Sequence, residues 1–227
     1  GFWILDDLSP LYELDQDFQA EEHLFDAKTT YLMQAGYGGK SKSAGENHPN
    51  GLILNYYLKV LDSSTNYVLR FLDNQGDEIR RFESQATDKS KKWSPQQGAN
   101  RFIWDLRYPG FEPIEGMILW YVLREGAYVL PGSYQAQLIG KDTSEIDFEV
   151  VLDPRLEVSK QELARQRQFL NEIIAGMEEM NTCIREIRKV RGDLNLWKER
   201  VSDSSLVAEI ETHLKKGEEI QKMRVAC

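Results

Sequence analysis

The chain has 227 residues, of which 41% are hydrophobic and 11% aromatic, enough for a substantial core in one large or two small domains. Its net charge of −9 argues against a nucleic-acid partner, because proteins that bind nucleic acids present a basic surface. No apolar run approaches the roughly 20 residues that a membrane-spanning helix needs, so no membrane span is expected.

The first fifty residues are interpreted as two segments that precede the main fold. Residues 1–14 contain a short apolar stretch, 2–5, that is typical of a buried strand and is followed by a turn. Residues 15–50 are acidic and then rich in Gly, Ser and Lys, which is typical of a linker or an extended segment. Gly39-Lys40-Ser41 matches the end of a phosphate-binding loop, but no glycine stands five residues before Gly39, where the first glycine of that loop is needed. No cofactor is therefore predicted.

Residues 51–153 have the pattern of a β-domain. Short apolar runs that alternate with turns predict strands over 52–60, 66–72, 78–82, 100–107, 133–139 and 146–152. Residues 73–77 are a turn signal, so the second and third of these strands should form a hairpin. Six or seven short strands joined in this way predict an antiparallel sandwich of immunoglobulin-like type.

The strand at 100–107 is the expected centre of that sandwich. Phe102, Trp104 and Leu106 alternate with polar residues, so one face of the strand should lie in a core. Ile103 is the apolar residue of the opposite face. The large ring of Trp104, at mid-strand, is predicted to be buried between two sheets.

From residue 154 onward the pattern becomes helical. Ser159 and Glu162 form a capping-box sequence, and apolar residues follow at spacings of three and four, which predicts a long helix with a heptad-like seam. Gly192 is expected to cap or kink it, and residues 202–205 to start a second helix. Residues 154–227 are therefore predicted to form an antiparallel helical hairpin. Phe169, Ile174 and Val190 widen the apolar face beyond what one short helix can cover. The rest should therefore pack against the sandwich or, alternatively, against a second copy or a domain outside this piece.

Few residues suggest chemistry. The three histidines and two cysteines show no spacing typical of a metal site, and no nucleophile elbow is present, so no metal and no catalytic residue are predicted. The cysteines, Cys183 and Cys227, are expected to be free thiols. A sugar-stacking platform would need exposed aromatic rings, for which the candidates are Trp93, Tyr108, Trp120 and Tyr121. The alternative interpretation is that Trp120 and Tyr121 close one end of the sandwich.

Several stretches together resemble one family. They are residues 2–11 (Phe-Trp-Ile-Leu-Asp-Asp-Leu-Ser-Pro-Leu), 23–25, 49–51 with 56–58, 100–107 (Asn-Arg-Phe-Ile-Trp-Asp-Leu-Arg), 131–134 and 153–155. They resemble the C-terminal region of large secreted bacterial proteins with sortilin-like or BNR-type β-propellers, which are labelled glycosyl hydrolases. The resemblance extends along most of the chain, and residues 2–11 and 100–107 are its most specific parts.

The resemblance implies an architecture and a location. Residues 1–14 would be the closing strand of a propeller outside this piece, and 51–153 would be similar to the immunoglobulin-like domain of the flagellar hook-capping protein. A secreted or periplasmic location is implied. Any catalytic pocket would lie on the propeller, so no catalytic residue is transferred to this chain. The glycine-rich stretch near residue 40 departs from the family as an insertion.

Three functions follow as hypotheses. The first is a non-catalytic accessory module that contacts the propeller of its parent chain or another protein. The second is a carbohydrate-binding module, which an exposed row of aromatic rings on one sheet face would favour. The third is part of a glycoside hydrolase, which needs two carboxylates about 5–10 Å apart across a cleft. The carboxylates available for such a pair are Asp6, Asp7, Asp105, Glu112 and Glu115, and the sequence places no two of them opposite each other.

Overall fold

The computed structural model describes residues 7–14, 18–33, 48–117 and 125–225, with side chains up to residue 220. Its elements are α1 (Ser9–Tyr12), β1 (Glu22–Leu24), β2 (Thr30–Leu32), β3 (Leu52–Leu58), β4 (Val68–Asp73), β5 (Glu78–Glu83), β6 (Gly98–Trp104), β7 (Gly132–Ile139), β8 (Thr143–Leu152), α2 (Lys160–Arg200) and α3 (Ser204–Val225). A β part is thus followed by a helical part, as the sequence predicts. The apolar stretch at 2–5 and the glycine-rich stretch near residue 40 lie outside the described residues.

The chain forms two compact units. The first comprises Gly1–Pro109 and Ala127–Arg167, and the second comprises Gly110–Gly126 and Gln168–Cys227. The first unit contains the sheets, and the second contains α3 and most of α2. The chain therefore passes between the units three times.

Two sheets make up the described part of the first unit. The three-stranded sheet has the order β1-β3-β6, and the five-stranded sheet has the order β2-β8-β7-β4-β5. The pairs are antiparallel, except that β2 runs parallel to β8. The β4–β5 hairpin turns at residues 73–77 as predicted, where the Asp73 amide donates to the Asp77 carbonyl at 3.0 Å.

Residues from both sheets form one hydrophobic core. Trp104 of β6 is fully buried, which confirms the prediction from its alternating strand. Its ring stacks on Phe71 of β4, with the centroids 4.2 Å apart, and meets Phe148 of β8 edge-on at 6.3 Å. Because Phe71 and Phe148 belong to the five-stranded sheet, the indole joins the two sheets. Ile103, on the opposite face, is 43% exposed.

The central strand ends earlier than its alternation suggests. The ladder between β3 and β6 closes at the pair Leu52–Trp104, and Leu106 has a positive φ of 60°. The Val129 amide then donates to the Leu106 carbonyl at 2.8 Å, and the Tyr108 amide donates to the Ala127 carbonyl at 2.9 Å. The chain has left β3 to pair with residues 127–129. Leu106 is buried although it lies beyond the end of β6. The alternation of apolar residues therefore continues past the strand and does not show where the strand ends.

The segment 15–50 contributes two strands that the sequence analysis did not predict. One of them, β1, pairs with β3 but also hydrogen-bonds to the other sheet. The Glu22 carboxylate accepts from the Lys141 amide at 2.8 Å, and the Leu24 amide donates to Ser144 Oγ at 2.9 Å. Residues 22–24 thus link the three-stranded sheet to the turn between β7 and β8.

The long helix begins where its capping box predicts. Ser159 Oγ accepts from the Glu162 amide at 3.2 Å, and the Glu162 carboxylate accepts from the Ser159 amide at 2.9 Å. The prediction that Gly192 caps the helix is wrong, because α2 continues through Gly192 to Arg200. The second helix starts at Ser204, and Asp203 caps it by accepting from the Ser205 amide at 2.8 Å.

Candidate functional site

The four stacking candidates do not form a platform in the part of the chain that is described. Trp93 is only 6% exposed, and its Nε1 donates to Tyr56 Oη at 3.1 Å. Tyr108 is half-buried, and burial raises the pKa of its phenol. Trp120 and Tyr121 lie outside the described residues, so their alternative role in closing the sandwich stays a prediction. The ring of Trp93 is therefore a core side chain rather than a stacking surface.

A cleft of about 220 Å³ lies beside the edge of Trp93. Its lining residues are Leu61, Asp62, Ser63, Thr65, Tyr67, Ser84, Gln85, Trp93, Ser94 and Pro95. Many of its polar groups are already engaged: Ser84 Oγ accepts from the Tyr67 amide at 2.9 Å, and Gln85 Nε2 donates to the Ser63 carbonyl at 3.1 Å. The cleft thus offers a ligand few unused hydrogen-bonding groups.

Asp62 is the only carboxylate among the residues that line this cleft. Hydrogen bonds from the Ser64 hydroxyl and amide, with Lys141 nearby, lower the pKa of Asp62 to about 2. A group with that pKa is ionised at neutral pH and cannot act there as a general acid. The lining accordingly lacks the pair of carboxylates that glycoside hydrolysis requires.

Two of the carboxylates that the sequence offers for such a pair, Asp7 and Asp105, are engaged in structural contacts. Asp7 binds Lys28 Nζ at 2.7 Å, and this bond together with those from Ser9 lowers the pKa of Asp7 to about 2. Asp105 accepts from the Arg107 amide at 3.2 Å. Glu112 and Glu115 lie in the second unit. Asp6 falls outside the described residues.

Within the described ranges, no group of three or more His, Cys, Asp or Glu side chains could hold a metal ion. His23 instead lies among aromatic rings and contacts Glu13 Oε2 at 3.2 Å. No helix in this same part of the chain is long and apolar enough to cross a membrane.

In the second unit, residues 110–117 form a strap on one side of α2. The Glu112 amide donates to Glu178 Oε2 at 2.8 Å, and Asn181 Nδ2 donates to the Glu112 carbonyl at 2.8 Å. Arg188 donates to the Glu115 carbonyl, also at 2.8 Å. The Glu112 amide, more than the nearby Arg185, lowers the pKa of Glu178. Three polar side chains of α2 therefore hold this strap by its backbone.

A neighbouring side of α2 is covered by α3. Ile184 of α2 and Ile210 of α3 are 2% and 6% exposed. Two ion pairs join the helices, Arg191 to Glu218 at 2.9 Å and Lys198 to Glu211 at 2.6 Å. Since α3 has 22 residues and α2 has 41, α3 can flank only about half of α2.

A third side of α2 exposes large apolar side chains. Phe169, Val190 and Trp197 are 61%, 55% and 61% exposed. Phe169 and Val190 are among the residues by which the sequence predicted an unusually wide apolar face. Trp197 was missed, although it follows Val190 by seven residues, the spacing that would have identified it. These three side chains are the strongest candidate for a functional surface.

The comparisons with known proteins add no relative: no protein-family model matches the chain, and no curated protein matches it.

Proposed function

We propose that this chain is a non-catalytic accessory module that contacts another protein domain. The observation that carries the proposal is the exposure of Phe169, Val190 and Trp197 on one helix. Large apolar side chains at helical spacing cost free energy in water, and such surfaces mark sites of protein contact. The helical unit is therefore the contact surface that we propose.

The finer architecture is part of the same proposal. Two sheets that share one core support an immunoglobulin-like sandwich. The ion pairs 191–218 and 198–211 run in opposite directions along the two helices, which supports an antiparallel helical hairpin. The family resemblance supports a larger secreted or periplasmic parent with a sortilin-like or BNR-type propeller.

The propeller of the parent chain is the first partner to test. Produced separately and mixed with this chain, it is expected to co-elute with it in size-exclusion chromatography. An excess of free Glu-rich peptide serves as a control for charge alone. Separate elution at all concentrations would contradict the proposal that the module contacts the propeller.

The chain is expected to hydrolyse no glycoside and no ester. The cleft beside Trp93 has Asp62 as its only carboxylate, and the neighbours of Asp62 keep it ionised. The measurement is release of the aryl group from a panel of aryl-glycoside and aryl-ester substrates by the purified chain. Turnover that disappears when a single carboxylate is substituted would contradict this prediction. An Asp62→Asn variant shows whether that carboxylate is the one in this cleft.

A carbohydrate-binding module is the second candidate, and only the cleft beside Trp93 favours it. A saccharide in that cleft would change the environment of the indole edge and shift its fluorescence. Titration with oligosaccharides is expected to leave the emission unchanged, because Trp93 is buried and bonded to Tyr56. A saturable shift that is lost in Gln85→Ala would favour carbohydrate binding instead.

A further inference from the structure

The exposed side chains of α2 belong to a regular seven-residue repeat. One stripe, which we call the open stripe, comprises Phe169, Gly176, Cys183, Val190 and Trp197. A second stripe, at the alternating spacing of four and three, comprises Ile173, Met180, Ile187 and Leu194. Its last three residues are half-buried, and Ile187 lies beside Gly217 of α3. Positions spaced in this way form the seam of a coiled coil, in which each stripe inserts into a facing helix.

The two flanks of this seam differ. The flank that includes Ile184, Arg191 and Lys198 faces α3, as the buried Ile184 and the two ion pairs show. The opposite flank, which we call the acidic flank, comprises Glu172, Glu179, Glu186 and Asp193. All four of these acidic residues are exposed. The ion pairs described on this stretch of α2 are formed by Arg185, Arg191 and Lys198 instead.

The strap and α3 occupy the remaining sides of the helix. Residues 110–117 are held by Glu178, Asn181 and Arg188, which point away from the open stripe at the 100° per residue of an α-helix. Because α3 covers the flank with Arg191 and Lys198, the side of α2 that the described residues leave open is that of the open stripe and the acidic flank. Apolar and acidic residues therefore lie side by side along about three heptads, from Glu172 to Asp193.

We propose that this surface docks an amphipathic helix of another protein or domain, one that carries Lys or Arg beside its apolar stripe. The apolar side chains of such a helix would cover Val190 and Trp197, and its cations would pair with the acidic flank. Charges at the positions that flank a coiled-coil seam set the choice of partner. The inference rests on the proposed function as a contact module and specifies the chemistry of the partner.

A second copy of this chain fits the surface poorly. In an antiparallel pair, the acidic flank of one copy would face the acidic flank of the other, and like charges at these positions repel. In a parallel pair, the acidic flank would have to face Arg191 and Lys198, which already bind Glu218 and Glu211 of α3. A partner with a basic edge has neither difficulty.

The test uses the intact chain and two designed helical peptides of about four heptads. Both have Leu along the apolar stripe, and they differ only in having Lys or Glu at the flanking positions. Fluorescence anisotropy of the labelled peptides measures binding. The Lys peptide is expected to bind at least about tenfold more tightly than the Glu peptide, and added salt should reduce the difference.

Substitutions of two neighbouring residues test whether binding depends on the open stripe or on any exposed apolar residue of α2. Trp197→Glu is expected to reduce binding of the Lys peptide by at least about tenfold, since it places a charge in the open stripe. Leu196→Glu is the matched control, because Leu196 is 52% exposed but lies about 100° further around the helix. A double variant, Glu179→Lys with Glu186→Lys, should reverse the preference between the peptides.

The inference is overturned if the two peptides bind equally, if neither binds, or if Trp197→Glu and Leu196→Glu have the same effect. Self-association in sedimentation that Trp197→Glu abolishes would also overturn it, in favour of a second copy. If no peptide binds but the propeller still co-elutes with the chain, the inference about a basic helix fails while the proposed function stands.

Discussion

Replacing Trp104 by alanine is expected to lower the free energy of unfolding by about 3–5 kcal/mol, as for large aromatic side chains removed from other cores. The ring is fully buried and lies against Phe71 and Phe148 of the facing sheet. Its removal leaves a cavity between two sheets that the backbone cannot close. Chemical denaturation followed by circular dichroism measures the loss.

The adjacent residue provides the control. Ile103 is 43% exposed on the opposite face of β6, so Ile103→Ala should cost less than about 1 kcal/mol. If Trp104→Ala does not fold, Trp104→Phe retains an aromatic ring against Phe71 and keeps the comparison measurable. If Ile103→Ala and Trp104→Ala lowered the free energy of unfolding equally, the core would not depend on this indole.

Gly51→Ala is expected to lower the free energy of unfolding by about 3 kcal/mol or more, a large effect for the addition of one methyl group. Gly51 has a φ of 114°, and a Cβ atom there would lie 2.1 Å from the Trp104 carbonyl oxygen. The obstacle is backbone, which cannot rotate away as a side chain can. The ladder between β3 and β6 would have to open at its last pair, Leu52–Trp104.

Gly76→Ala separates this steric cost from the cost of the backbone angle. Gly76 also has a positive φ, 87°, but a Cβ atom there would meet nothing within 4 Å. Gly76→Ala should lower the free energy of unfolding by about 1–2 kcal/mol, which is the penalty of a left-handed backbone conformation alone. Thermal denaturation of both variants gives the comparison, and a Gly51→Ala variant no less stable than Gly76→Ala would refute the close approach.

The parts of the fold that the sequence predicts are those that local patterns determine. The alternation at Phe102 and Trp104 identifies a strand with one buried face, because side chains of a strand point to opposite faces in turn. The capping box at Ser159 and Glu162 locates the start of α2 to the residue, because reciprocal side-chain bonds satisfy the free amides of that turn.

Other parts depend on distant residues and escape local patterns. The strands β1 and β2 have three residues each, too short for a periodic signal, and they exist because they pair with β3 and β8. The end of β6 likewise depends on residues 127–129, which draw Leu106 and Tyr108 away from β3. Neither arrangement can be inferred from the residues of one segment.

The candidate surface was predicted in part. The spacing of apolar residues showed that α2 has a face too wide for one partner helix, and Phe169 and Val190 are indeed exposed. Which side stays open could not be inferred, because it depends on where α3 and the strap at 110–117 attach. Trp93 is a stacking candidate by residue type alone, and its ring is instead buried in the core against Tyr56 and Phe102.

The chain passes three times between its two compact units, and this limits how its gene can recombine with others. Residues 110–117 and the helix that holds them come from separate stretches of the gene, so no single cut yields the whole helical unit. A truncation at residue 153 would leave Glu112 and Glu115 without Glu178, Asn181 and Arg188. Recombination would therefore be expected to transfer the sheets and helices as one cassette.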